Sequence, residues 1–236
     1  MPVEQHKQTD RQAVNPVIGV SAQLVNADDP SSDSYIAASY VKYLESAGAR
    51  VIPIPSSMPE DELQQILPHL NGYLFPGGGA HMIKSGYYHH AKQAFQHSKD
   101  SYENGMIFPV WGTCLGFETL MVLAAGNDES VLGKSDSDDV SLPLDFTADA
   151  LGSKMFSGAS MEVMLSLQKE NLTYNHHKRC LTYDSYRQNE GLSEFFKVLS
   201  TNTDPNGVTF VSSAEGMCVF YELLFLYPWS TGRVLW

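Results

Sequence analysis

Between residues 16 and 126, four short apolar runs alternate with four helical segments, and no other feature of the chain constrains its fold as strongly. "PVIGV" (16–20) is a short β-branched run ending near small polar residues, which suits a buried strand, and "RVIPI" (50–54) reads as a second strand. "GYLFPGGG" (72–79) reads as a third strand running into a glycine turn, and "FPVWGTC" (108–114) as a fourth. In the first helical segment, "SYIAASYVKYLESAGA" (34–49), Ile36, Tyr40, Val41 and Leu44 share one face and Gly48 supplies the stop. Ser57 precedes Glu60 by three residues with Pro59 between them, which predicts a capping box opening "SSMPEDELQQIL" (56–67). "YYHHAKQAFQHSKDSYE" (87–103) and "LGFETLMVLAAG" (115–126) complete the set, the last beginning directly after Cys114. The β-α-β-α-β-α-β-α order predicts an α/β fold, with a mostly parallel central sheet and helices on both faces. Ligands collect at the carboxyl ends of such strands, where both glycine-rich turns fall.

Residues 127–190 are less regular, with an acidic stretch "SDSDDVSLPLDF" (135–146). "FFKVLSTNTDPNGVTFVSS" (195–213) reads as two strands around the Asn206-Gly207 turn. The formal net charge of -12 argues against sequence-independent nucleic-acid binding, which needs a basic face. Cys114, Cys180 and Cys218 are too few and too scattered for a disulfide framework, and no CxxC pair suggests zinc, so no metal or other cofactor is expected. The longest apolar run, 217–229, is interrupted by Glu222 and falls short of the ~20 residues that span a bilayer. A polar leader (1–15) lacks the apolar core of a secretory signal, so the chain as written starts like a cytosolic protein.

Gly112-Thr113-Cys114-Leu115-Gly116 has the form G-x-C-x-G, the cysteine counterpart of the nucleophile elbow. A nucleophile on a sharp strand-to-helix turn holds a strained backbone, and flanking glycines remove the side chains that would collide there. The helix N-terminus is expected to favour the Cys114 thiolate, and the Leu115 N–H to face an oxyanion formed on a substrate carbonyl. A lone cysteine is more often inert core than nucleophile. Its place at a strand end, before an apolar helix, is what favours the reactive reading.

"FPVWGTCLGFE", "YIAASYVKYLESAGARVIPI", "NGYLFPGGG" and "STNTD" together resemble the γ-glutamyl hydrolase family, C26-type cysteine peptidases of the class I glutamine-amidotransferase-like group. The resemblance runs from residue 16 to 216 in unbroken order. It implies a flavodoxin-like sandwich, Cys114 as nucleophile, and the Gly78 N–H as a second oxyanion donor facing that of Leu115. It also implies a folate with a γ-linked polyglutamate tail as substrate, hydrolysis through an acyl-enzyme, a lysosomal or secreted setting, and a homodimer. By the same resemblance His177 in "LTYNHHKRCLT" (172–182) lines the cleft. Lys178 and Arg179, with Arg187, are candidates to meet the anionic tail; a solvated charge cluster is an equally simple alternative. His89, His90 and His97 read as solvated surface, and Asn171 heads a glycosylation sequon that has meaning only in a secreted chain.

After Ser212–Gly216 the family carries a strand with a Trp-His-Pro-Glu motif that supplies the catalytic histidine. This chain continues "MCVFYELLFLYPWSTGRVLW" (217–236), with no histidine after His177. The expectation is a replaced C-terminus, a sheet lacking one strand, and His177 as a substitute base. Competing with hydrolysis are two other readings. One is an impaired isoform that binds folate polyglutamates or dimerises at most; the other is a glutaminase domain serving a synthetase.

Overall fold

The computed structural model describes residues 15–29, 31–216 and 221–224. In chain order its elements are β1 (Val17–Ser21), β2 (Gln23–Leu24), β3 (Ser34–Tyr35), α1 (Ala38–Ser46), β4 (Arg50–Ile54), α2 (Glu60–Ile66) and β5 (Gly72–Phe75). There follow α3 (Gly86–Glu103), β6 (Val110–Gly112), α4 (Leu115–Ala124), β7 (Leu132–Leu142), β8 (Asp145–Phe146) and α5 (Met161–Lys169). The remainder is β9 (Thr173–Leu181), α6 (Tyr183–Gln188), α7 (Glu190–Phe195), β10 (Phe196–Thr203), β11 (Thr209–Gly216) and β12 (Tyr221–Leu224).

The main sheet has the order β4-β1-β5-β6-β12-β11-β10-β8. β4, β1, β5 and β6 are parallel, and β12 continues parallel beside β6, while β11, β10 and β8 add antiparallel. From β1 the chain crosses to β4 on one side and then to β5 on the other. The switch point therefore lies at the carboxyl ends of β1 and β5, where crevices open in such sheets. α4 is buried along Leu115–Leu123 because it is apolar nearly all round, packed against α3 and α7 as well as β5 and β6. Phe75, Tyr87, Val110, Phe117, Leu120 and Met121 form the centre of the core.

Four expectations need correction. α1 begins at Ala38, so Ile36 lies outside it, and none of its residues is fully buried. An apolar groove of about 350 Å³ beside it is lined by Tyr43, Leu44, Ile107 and Trp111 among others, and the described residues lining it include no ionisable side chain apart from tyrosines. The capping box is not formed: Pro59 is the N-cap and no side chain caps α2. Glu60, Asp61 and Glu62 in the first turn complement the helix dipole instead. The irregular 127–190 region contains a long antiparallel ribbon, β7 with β9, apart from the main sheet. Finally, the sheet does not lack a strand after Gly216. Tyr221–Leu224 fills the place between β6 and β11, pairing Tyr221 with Val110 and Leu224 with Ser213. Residues 217–220 and 225–236 of the expected replaced tail, Cys218 among them, and the leader up to residue 14 lie outside the described residues.

Candidate active site

Cys114 sits between β6 and α4 with φ 53° and ψ -113°, a left-handed conformation rare for a side chain bearing Cβ. The turn is held from both sides. Thr113 N–H donates to Phe75 O (3.0 Å), Gly116 N–H to Thr113 O (2.9 Å), and Glu118 N–H to Cys114 O (3.0 Å). The flanking glycines are sterically required: a Cβ on Gly116 would lie 2.1 Å from Phe75 O, and one on Gly112 would lie 2.6 Å from the Gly116 backbone.

The backbone amides of Leu115 and Gly78 both act on the Cys114 thiol and lower it. The second donor comes from the Pro76–Ala80 loop after β5. Gly77 of that loop is close enough that an added Cβ would lie 3.0 Å from Cys114 Cβ and 3.1 Å from the Tyr40 hydroxyl. Tyr40, from α1, accepts the Gly77 N–H at 2.9 Å. Burial raises its phenol to about 12.

The expected thiolate is not favoured at rest. Burial pushes the Cys114 thiol up to about 12, the Glu118 carboxylate adds to the rise, and the two amide bonds only partly offset them. A helix N-terminus and two N–H donors do not replace lost hydration when no cation among the described residues acts on the sulfur. Glu118 stands one helical turn beyond Cys114, 7% exposed, and burial raises it to about 7 against the lowering influence of Arg179. Sequence reading passed over Glu118, although a lone carboxylate in "LGFETLMVLAAG" was the signal available.

His177 is buried in β9. Nδ1 lies 2.9 Å from Arg179 O and Nε2 3.2 Å from Asn175 Oδ1, with Phe210 edge-on at 5.1 Å. Both partners are acceptors, so a neutral ring donates to only one of them; the shorter distance favours Nδ1–H. Burial lowers this histidine to about 4. Among the described residues, the groups that perturb Cys114 are Glu118 and the two amides, with no histidine among them. Lys178 and Arg187 are exposed. Arg179 is half-buried, with Nη2 3.3 Å from Glu129 O and 3.7 Å from Glu129 Oε2, and its charge reaches Glu118. So β9 meets the elbow through Arg179 and Glu118. His90, read as surface, is buried on α3 with Nε2 on Met58 O at 2.9 Å.

A strained cysteine at a strand-to-helix turn of a parallel sheet, met by two converging backbone donors, defines an elbow-type site. The peptidase C26 family profile matches residues 16–136, about half of the chain, and the chain belongs to that family. It is 46% identical over 202 residues to gamma-glutamyl hydrolase of Mus musculus, covering 85% of this chain and 63% of that protein. It is 47% identical over 182 residues to gamma-glutamyl hydrolase of Homo sapiens (77% and 56%), and 37% identical over 207 residues to gamma-glutamyl hydrolase B of Dictyostelium discoideum (85% and 58%). The chain thus spans less than two thirds of the length of these relatives. A solved glutamine amidotransferase from Thermotoga maritima is 11% identical, with a TM-score of 0.48, covering 92% of this chain and 76% of that one. No helix among the described residues is long and apolar enough to cross a membrane.

Proposed function

We propose that this chain hydrolyses γ-glutamyl amide bonds of folylpoly-γ-glutamates, with Cys114 as nucleophile. The observation that carries the reading is the elbow itself: a left-handed Cys114 with the Leu115 and Gly78 amides converging on it. The Cys114 sulfur attacks the γ-carbonyl carbon and the carbonyl oxygen takes the negative charge between the two amides. The C–N bond then breaks, the thiol proton leaving with the amine, and water hydrolyses the thioester to free the enzyme. Among the described residues, Glu118, titrating near 7 beside Cys114, is the ionisable group best placed to influence that proton.

The polyanionic tail needs cationic partners in a chain of net charge -12. Arg179 is the stronger candidate because its charge already reaches Glu118; exposed Lys178 is the weaker. Family resemblance supports a lysosomal or secreted setting, consistent with an exposed Asn171, and a homodimer that sedimentation of the purified chain would test.

The deciding experiment is mass spectrometry of products after incubating folded protein with pteroylpentaglutamate, beside Cys114→Ala. Shortened tails from the native chain alone are the expected result. No shortening by folded protein would overturn hydrolysis and leave binding as the remaining reading.

A further inference from the structure

We propose that Gln23 is a positioning residue whose side-chain amide aims the Gly78 N–H at Cys114; this rests on the oxyanion reading above and adds what holds the donor in place. Gly77-Gly78-Gly79 has no side chain with which to fix itself, and glycine has the widest conformational freedom of any residue. A donor that stabilises a transient charge must nonetheless be oriented beforehand. The restraint therefore has to come from elsewhere in the fold, and it does.

Gln23 is 3% exposed and opens β2, two residues beyond the carboxyl end of β1 and beside the switch point. Its Nε2 donates to Gly77 O at 3.0 Å and Pro76 O at 3.3 Å, and its Oε1 accepts from Ala80 N–H at 3.1 Å. These bonds straddle Gly78, with the carbonyls before it and the amide after it. The amide group also lies flat against Gly78: a Cβ there would fall 2.1 Å from Oε1 and 2.3 Å from Cδ. Tyr87 donates to Pro76 O at 2.7 Å and Tyr40 takes the Gly77 N–H at 2.9 Å. Around Gly78, three side chains hold backbone groups of the loop, Gly77 lies against Cys114, and the Gly78 amide acts on the thiol.

The chemistry selects glutamine. Only a primary amide brings two donors and an acceptor on one planar end. Glutamate has the same shape and no donor. Methionine has similar reach and neither capability. Asparagine has the amide but is one methylene too short to meet all three partners.

The test uses Gln23→Met, Gln23→Glu and Gln23→Asn in the full chain, with folding checked by thermal melting. The first readout is independent of hydrolysis: the iodoacetamide alkylation rate at the Cys114 peptide at pH 8, read by mass spectrometry. Loss of the Gly78 hydrogen bond to sulfur should lower the thiolate fraction and slow alkylation about threefold or more in the Met and Glu variants. The second readout is turnover of pteroylpentaglutamate. kcat should fall about 10²–10³-fold, as on losing one oxyanion donor, with KM within about threefold. Gln23→Asn should fall between, and it carries the comparison if Gln23→Met does not fold. Alkylation and kcat at wild-type levels in a folded Gln23→Met or Gln23→Glu variant would overturn the proposal. If the wild type cleaves nothing, the hydrolase reading fails by itself, and the alkylation rates still decide the role of Gln23.

Discussion

Cys114 sits on the parallel sheet's elbow and His177 on the β7/β9 ribbon, and burial moves both far from their ordinary titration ranges. Their surroundings differ in kind. Cys114 is met by backbone donors, from Leu115 and Gly78, in a conformation that costs strain. His177 is met by acceptors, Arg179 O and Asn175 Oδ1, with Phe210 against its ring. Donors around a group that gains negative charge during a reaction stabilise the transition state more than the resting state. Acceptors around a neutral ring stabilise the resting state and fix it in place. Burial alone therefore says little about function; the polarity of the groups aimed at the buried atom says more.

The sharpest way to break this contrast is to move the elbow. In Gly116→Ala the new methyl would fall 2.1 Å from Phe75 O, a backbone atom that cannot swing aside. α4 must shift and take Leu115 N–H and Cys114 with it. Activity should fall at least about 100-fold, because misplacement of about an ångström has that effect, while overpacking lowers stability by roughly 1–3 kcal/mol. Pentaglutamate turnover and chemical denaturation measure the two; an active variant of native stability would show that the elbow is not held as described.

Glu118→Gln is gentler and has a sign. Glu118 is raised from 4.5 to about 7 by burial, so the folded state holds a proton that the unfolded chain releases between those values. Its contribution to stability is full below 4.5 and is lost as pH rises through about 7. Removing it should flatten the stability profile over that window and make the variant the more stable form above pH 7. It should also speed Cys114 alkylation at pH 8, since the carboxylate that raises the thiol is gone. Denaturation midpoints at pH 5 and 8 test the first expectation. An unchanged alkylation rate would refute the second.

The parallel half was legible because its strands read as plain apolar runs: the central strand "GYLF" is buried at all four positions, and "RVIPI" keeps its apolar run even at the largely exposed edge of the sheet. The elbow was legible for a different reason, since only glycine fits where Phe75 O and the Gly116 backbone crowd the turn. β7 was not legible. Its Ser-Asp-rich sequence alternates only weakly, and it pairs with β9 away from the main sheet, so no apolar period marks it. His90 was misread because α3 looked polar on that side, whereas the chain leading into α2 covers it through Met58 O. Gln23 carried no signal at all. Its role depends on a loop more than fifty residues away, and long-range pairing of that kind leaves no local pattern.

The smallest expected effect belongs to His177→Phe, and it is the one that separates structure from chemistry on the ribbon side. Phenylalanine keeps a ring against Phe210 but leaves Arg179 O without the imidazole donor, at a cost of about 1–3 kcal/mol near pH 7. Because the wild-type histidine is lowered from 6.5 to about 4, its contribution is present above 6.5 and lost as pH falls through about 4, when the unfolded chain takes up the proton first. The variant should therefore lose less stability than the wild type between those values, by at most about 3 kcal/mol. Turnover of the folded variant should stay within about threefold of wild type if the ring only fixes β9, whereas a general base contributes about 10²–10⁴-fold. A hundredfold loss of kcat with an intact fold would make His177 the base that serves Cys114, and the acceptors around it would then be what orients that base.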